Sequence, residues 1–101
     1  MALGLKSITS RLGYQQITSL GSATNLTVPS VDKNGLSCKP AMAVIIAETA
    51  GVRWRDDEGT LSSAIGMPLA AGVTFIYDGD LGKIQFIQQT AGAILNVSYY
   101  A

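Results

Sequence analysis

The sequence predicts an all-β protein: a small antiparallel β-sandwich, jelly-roll-like, of about six to eight short strands with an extended N-terminal arm. Three observations carry this expectation. Glycines at 51, 59, 66, 72, 79, 82 and 92 divide the second half of the chain into steps mostly of 6 to 10 residues, close to the turn spacing of sandwiches and barrels. The runs between them are short and rich in β-branched and aromatic residues. No window holds a 3.6-residue apolar period over three turns. A length of 101 residues suits one domain, placed at residues 13–101, with residues 1–12 as an arm or an edge segment that docks on a neighbour.

The first strand is expected over residues 14–20, with Tyr14, Gln16, Thr18 and Leu20 on one face. Residues 21–25 read as a turn, and residues 26–28 as a short extended piece stopped by Pro29. Asp32-Lys33-Asn34-Gly35 is a turn, because Asn-Gly supports positive φ. Residues 41–49 form a strand that is apolar on both faces, Met42, Val44 and Ile46 against Ala43, Ile45 and Ala47. Such a strand is either covered twice or lies in an interface. In residues 52–55, Val52 and Trp54 point inward, and Arg53 and Arg55 outward. Asp56-Asp57-Glu58-Gly59 turns the chain, and residues 60–72 make a long connection with an extended piece near residues 67–69. Residues 73–77 carry Val73, Phe75 and Tyr77 on one face, ahead of the turn Asp78-Gly79-Asp80. Residues 84–88 point Ile84 and Phe86 inward, and residues 94–100 align Leu95, Val97 and Tyr99. These last two strands are expected to pair as a closing hairpin, since short connections favour antiparallel neighbours.

Composition narrows the function. Seven basic residues balance seven acidic ones, which argues against nucleic acid as the main partner. There is no histidine and one cysteine, Cys38, so Ser-His-Asp and Cys-His catalysis, histidine metal sites and an intrachain disulfide are excluded. Only 14% of residues are charged, against roughly 25% in an average soluble domain. The polar surface is therefore built from nine Ser, eight Thr, five Gln and three Asn. Such a surface is weakly protected against self-association, and either neighbours in an assembly cover it or the domain simply uses Ser and Thr outside. The first ten residues lack a basic start followed by a long apolar run, so no secretory signal is expected. The longest uncharged apolar run, residues 41–47, falls far short of a bilayer span, so no membrane contact is expected.

The candidate sites are few. The acidic clusters at 56–58 and at 78 and 80 lack the alternating ligand spacing of a calcium loop and read as turn chemistry. Trp54 is either a core anchor or a stacking platform, and the alternation, which turns it away from both arginines, favours the anchor. Arg53 and Arg55 are expected to pair with Asp56 and Asp57, or to serve an interface. Tyr99 belongs to the core face, and Tyr100, on the other face, is a contact candidate. No catalytic, cofactor or metal residue is assigned, and no enzyme activity is expected. The interface candidates are Ile45, Ile46, Arg53, Arg55 and Tyr100.

The stretches VRWRDD (52–57), GMPL (66–69), YDGDL (77–81), IQFIQQ (84–89) and LNVSYY (95–100) occur in an order that resembles small virion structural proteins of tailed bacteriophages. The resemblance spans about residues 44–101, and none of its pieces is specific alone. It implies a non-enzymatic virion component, foremost a head decoration or cement protein that stabilises the capsid through subunit contacts. The alternative is a collar, connector or tail-associated β-sandwich that contacts other virion proteins or a host glycan. The implied partners are the major capsid protein or other virion proteins and further copies of the chain, as a homo-oligomer such as a trimer. It would be made in the host cytoplasm and located in the virion.

Overall fold

The computed structural model describes residues 11–32 and 34–101, and among them every regular element is a strand. The strands are β1 (Arg11–Ile17), β2 (Thr24–Asn25), β3 (Met42–Glu48), β4 (Val52–Arg55), β5 (Met67–Leu69), β6 (Thr74–Tyr77), β7 (Gln85–Gln88) and β8 (Ile94–Tyr100). They form two four-stranded antiparallel sheets, sheet A in the order β1-β8-β3-β6 and sheet B in the order β2-β7-β4-β5. Consecutive strands lie in opposite sheets except at β4 and β5. The chain is thus one long ribbon folded back at the loop between β4 and β5. Its two arms pair as β1 with β8, β2 with β7, β3 with β6 and β4 with β5. Lateral pairing of β8 with β3 and of β7 with β4 then closes the sheets. This is the order of an eight-stranded jelly roll.

Several expected elements shift. The first strand starts at Arg11 and ends at Ile17, so Leu20 is buried after the strand has ended and not by continuing its alternation. Arg11 and Leu12 of the expected arm belong to β1, and residues 1–10 lie outside the described residues. The early extended piece is residues 24–25, inside the expected turn, where it pairs with β7. The Asp32 turn is present: Asn34 N and Leu36 N donate to Asp32 Oδ1, and Gly35 adopts φ +79. The closing hairpin is not formed. β7 joins sheet B and β8 joins sheet A, so residues 89–93 cross between the sheets. The physical reason is burial: Ile84 and Phe86 face Leu95 and Val97 through the core, which side-by-side pairing would not permit.

The core lies between the sheets. Ala43, Ile45 and Ala47 of β3 and Leu95, Val97 and Tyr99 of β8 point inward from sheet A. Val52, Leu69 and Phe86 meet them from sheet B. Each fully buried side chain of this size contributes about 1.5–3 kcal/mol. Two tyrosines bring hydroxyls inside. Tyr99 donates to Gln15 Oε1 at 2.7 Å, and that oxygen also accepts from Thr27 N at 3.1 Å. Tyr77 donates to Asp56 Oδ2 at 2.8 Å.

Burial pushes the Tyr99 phenol up to about 12, and burial with the Asp56 carboxylate does the same for Tyr77. In the unfolded chain both ionise near ~10. Their contribution to stability is therefore fully present below pH ~10 and is lost as pH rises through about 12. Urea midpoints measured from pH 8 upward are expected to fall across that window. The fall should be shallower in Tyr99→Phe, and an identical slope in the variant would contradict the assignment.

Candidate functional site

The outer face of sheet A is the first candidate. Alternation along β3 and β8 sends Met42, Val44, Ile46 and Glu48, and Ile94, Asn96, Ser98 and Tyr100, away from the core. Register then aligns two rows across all four strands. One is Tyr14, Ser98, Val44 and Ile76; the other is Gln16, Asn96, Ile46 and Thr74. Tyr14 and Ile76 are 65% and 61% exposed, and no other element covers the face among the described residues. Asn96 organises the polar stripe: its Oδ1 accepts from Tyr14 Oη at 2.5 Å and from Gln16 Nε2 at 3.0 Å, and its Nδ2 donates to Glu48 Oε1 at 2.8 Å. Beside it Val44, Ile46 and Ile76 form an apolar stripe. Glu48 is the one charge among the outward side chains just named. The arrangement is a charge-poor face whose polar side chains are tied together through Asn96.

The second candidate is a mouth at the open edge of the sandwich, where β5 and β6 are the outer strands of the two sheets. Trp54 and Met67 are cross-strand partners there. The indole stacks on Phe75 with ring centroids 5.0 Å apart, and Tyr77 tilts against both rings. A cavity of about 420 Å³ opens over this aromatic floor, lined by Trp54, Arg55, Asp56, Asp57, Gly66 and Met67. Trp54 does face opposite to the arginines, but it is half-buried and floors an open cavity, so it is an anchor with one side accessible.

The arginines fold the loop at the ribbon's bend. Arg53 does not meet an acid: Nε donates to the Ser63 carbonyl at 3.0 Å and Nη1 to the Gly66 carbonyl at 2.8 Å. Arg55 grips Asp57 at 2.8 and 2.6 Å and donates to the Thr60 carbonyl at 2.7 Å. Its guanidinium, with the Gly59 amide, holds the Asp57 carboxyl down at about 2, and the same pairing raises Arg55. Asp57 Oδ1 accepts from Gly59 N and Asp80 Oδ1 from Gly82 N, which is turn chemistry. Among the described residues no group of three or more Asp, Glu, Cys or His gathers to hold a metal ion. Among them, too, no helix is long and apolar enough to cross a membrane.

The interface candidates therefore separate. Ile46 and Tyr100 share the outer face of sheet A, both half-buried. Ile45 is 0% exposed in the core. Arg53 and Arg55 lie on sheet B, occupied with their own loop. Sequence reasoning grouped Val44 with Met42 and Ile46 on one face of β3 but missed Ile76 and Asn96 as members of the surface. Ile76 carried a signal, since it alternates against Phe75 and Tyr77; Asn96 carried none, because its role comes from β1 and β3, far away in sequence.

No protein-family model, curated protein or solved structure matches the chain.

Proposed function

We propose that this chain is a non-enzymatic structural subunit of a tailed-bacteriophage virion, a head decoration or cement protein. The observation that carries the reading is the outer face of sheet A, a four-stranded surface on which Tyr14, Ser98, Val44, Ile76, Gln16, Asn96, Ile46 and Thr74 are all uncharged and the Glu48 carboxylate is engaged by Asn96. A charge-poor face is costly to leave in water and inexpensive to bury, because little ionic hydration is lost. The resemblance over residues 44–101 points the same way, and jelly rolls serve in viral capsid and lectin domains alike. Fold alone does not select among these roles.

Area decides how the face is used. The seven-residue β1, β3 and β8 are about 23 Å long, the four-residue β6 is about 13 Å long, and neighbours lie ~4.8 Å apart, so the face offers on the order of 400 Å². A stable pairwise interface takes ~800 Å² from each partner. Two copies meeting by this face alone would separate in dilute solution. A copy seated on a shell gains further contacts from the major capsid protein and from neighbouring copies, and holds by their sum. The mechanism is mechanical: each copy bridges subunits and resists outward pressure without chemistry.

The test is the copy number in purified particles, by quantitative mass spectrometry against the major capsid protein. A ratio near one per capsid subunit, or a simple fraction of it, is expected. About six to twelve per particle would move the protein to the collar, connector or tail. Absence from particles would overturn the reading. The half-open Trp54 floor favours one alternative, a tail-associated protein that stacks a host sugar on the indole.

A further inference from the structure

The mouth at Trp54 has a charge setting that the rest of the molecule lacks. The 56–58 turn and the 78–80 turn meet beside it. Tyr77 joins them, donating to Asp56 and lying in the field of Asp80, and Gly79 passes so close that a Cβ there would strike the Tyr77 hydroxyl. Lys83 reaches Glu58 at 3.9 Å. Five carboxylates, Asp56, Asp57, Glu58, Asp78 and Asp80, thus stand at one end with two cations, Arg55 and Lys83. Arg55 is taken up by Asp57 and Thr60, and the Asp56 carboxylate at the rim accepts from the Tyr77 hydroxyl instead. The floor below is apolar: Trp54, Met67, which is 56% exposed, and Phe75 behind the indole. An occupant must be apolar at one end and cationic at the other. Aliphatic chain would lie on the indole and a positive group would meet both Asp56 and the ring face.

The chain itself supplies that chemistry. Residues 1–40 hold four basic residues and one acidic, and residues 41–101 hold three basic and six acidic. The neutral total conceals two opposite halves. The first ten residues, MALGLKSITS, combine Leu3, Leu5 and Ile8 with Lys6 and have no acidic side chain. They lead into β1, whose start lies at the same end of sheet A as Tyr77, beyond β8 and β3. The segment 28–40 stands between that start and the mouth: Val28, Pro29, Cys38 and Pro40 share one cleft with Gly79 and Leu81. A chain's own first residues would have to pass over this segment, whereas those of a second copy approach from solvent.

We infer that the Trp54 mouth is a docking site for residues 1–10 of a second copy of this chain, with Lys6 set against Asp56. The contact joins two different surfaces of the chain, so it supports reciprocal exchange within a pair as well as extension to further copies. It does not depend on where the protein works, and it fails or stands separately from the shell reading.

Trp54 is the only tryptophan, so its emission reports the mouth directly. The experiment is acrylamide quenching of the full chain across a dilution series at low salt. Quenching is expected to fall at least about twofold from the dilute to the concentrated end, and the change should shrink as added salt screens the charges. Lys6→Glu, which lies outside the described sandwich, should remove the concentration dependence while the β circular-dichroism spectrum is kept. A synthetic peptide of residues 1–10, added to the dilute full chain, should shield Trp54, and its Lys6→Glu version should need at least about tenfold more, equivalent to ~1.4 kcal/mol. Asp56→Asn in the full chain should weaken both effects. Concentration dependence that persists in Lys6→Glu would overturn the inference. So would shielding that is independent of concentration, because the chain's own segment would then occupy the mouth. Quenching unchanged under every condition would overturn it equally.

Discussion

Ile45→Glu is expected to unfold the protein, whereas Ile46→Glu is expected to keep the fold and, under the proposed virion role, to abolish incorporation into particles. The two residues are neighbours of the same type on β3, and only the pleat separates them. Ile45 is 0% exposed, opposite Val97 and Phe75. A carboxylate there has no cation within the core and costs several kcal/mol, a large part of the roughly 5–15 kcal/mol that stabilises a domain of this size. Ile46 points outward between Asn96 and Thr74, where glutamate stays hydrated and costs under about 1 kcal/mol. Its new charge would instead be desolvated by any partner laid on the face. Thermal melts should separate the pair: no cooperative transition for the first, and a Tm within several degrees of wild type for the second. Particles that incorporate Ile46→Glu at the wild-type level would refute the face as the contact surface.

Gly66→Ala is expected to cost about 2–4 kcal/mol and to displace Trp54. Gly66 adopts φ +139, a region that residues with a side chain rarely enter, and that conformation alone costs ~1–3 kcal/mol. An added Cβ would also stand 2.5 Å from Leu61 Cδ1, 3.1 Å from Arg53 Cβ and 3.3 Å from the Trp54 carbonyl. Leu61 can swing aside, but the strand atoms cannot move without shifting the floor of the mouth. Gly72→Ala is the matched comparison. It also has positive φ, +85, but nothing within 4 Å of the new methyl, so only the backbone penalty of about 1–2 kcal/mol remains. Equal losses in urea denaturation, with unchanged Trp54 emission in Gly66→Ala, would show that the close approach carries no energy.

The strands with strong alternation were legible in the chain. β3, β4, β6 and β8 stand within a residue or two of the positions read from Met42, Val52, Phe75 and Leu95, because period-two burial is a local property. Pairing was not legible. The closing hairpin was expected from a short connection, yet residues 89–93 cross the core, and length alone does not distinguish a hairpin from such an arch. The candidate face was half legible: two-sided apolarity marked β3, but the alternation did not say which of Ile45 and Ile46 faces out until sheet B had been placed. The arginines were half legible. Arg55 pairs with Asp57 as its place in the sequence suggested, whereas Arg53 spends its guanidinium on loop carbonyls that only the bend of the ribbon brings near.

The position of β8 constrains how the protein is made. It is the last of the eight strands in sequence, yet it lies inside sheet A and bonds both β1 and β3. Until the ribosome releases it, β1 has no partner and β3 has one open flank. A nascent chain therefore keeps one flank of the two-sided apolar strand of residues 42–48 open from its own synthesis until β8 emerges, several seconds at ~5–20 residues per second. Closure must then join β1 residues to β8 partners about eighty to ninety positions away, a slow, high-contact-order step. β1 joins sheet A only once β8 is available, and a ribosome stalled before residue 94 would present β3 with an open apolar flank to chaperones.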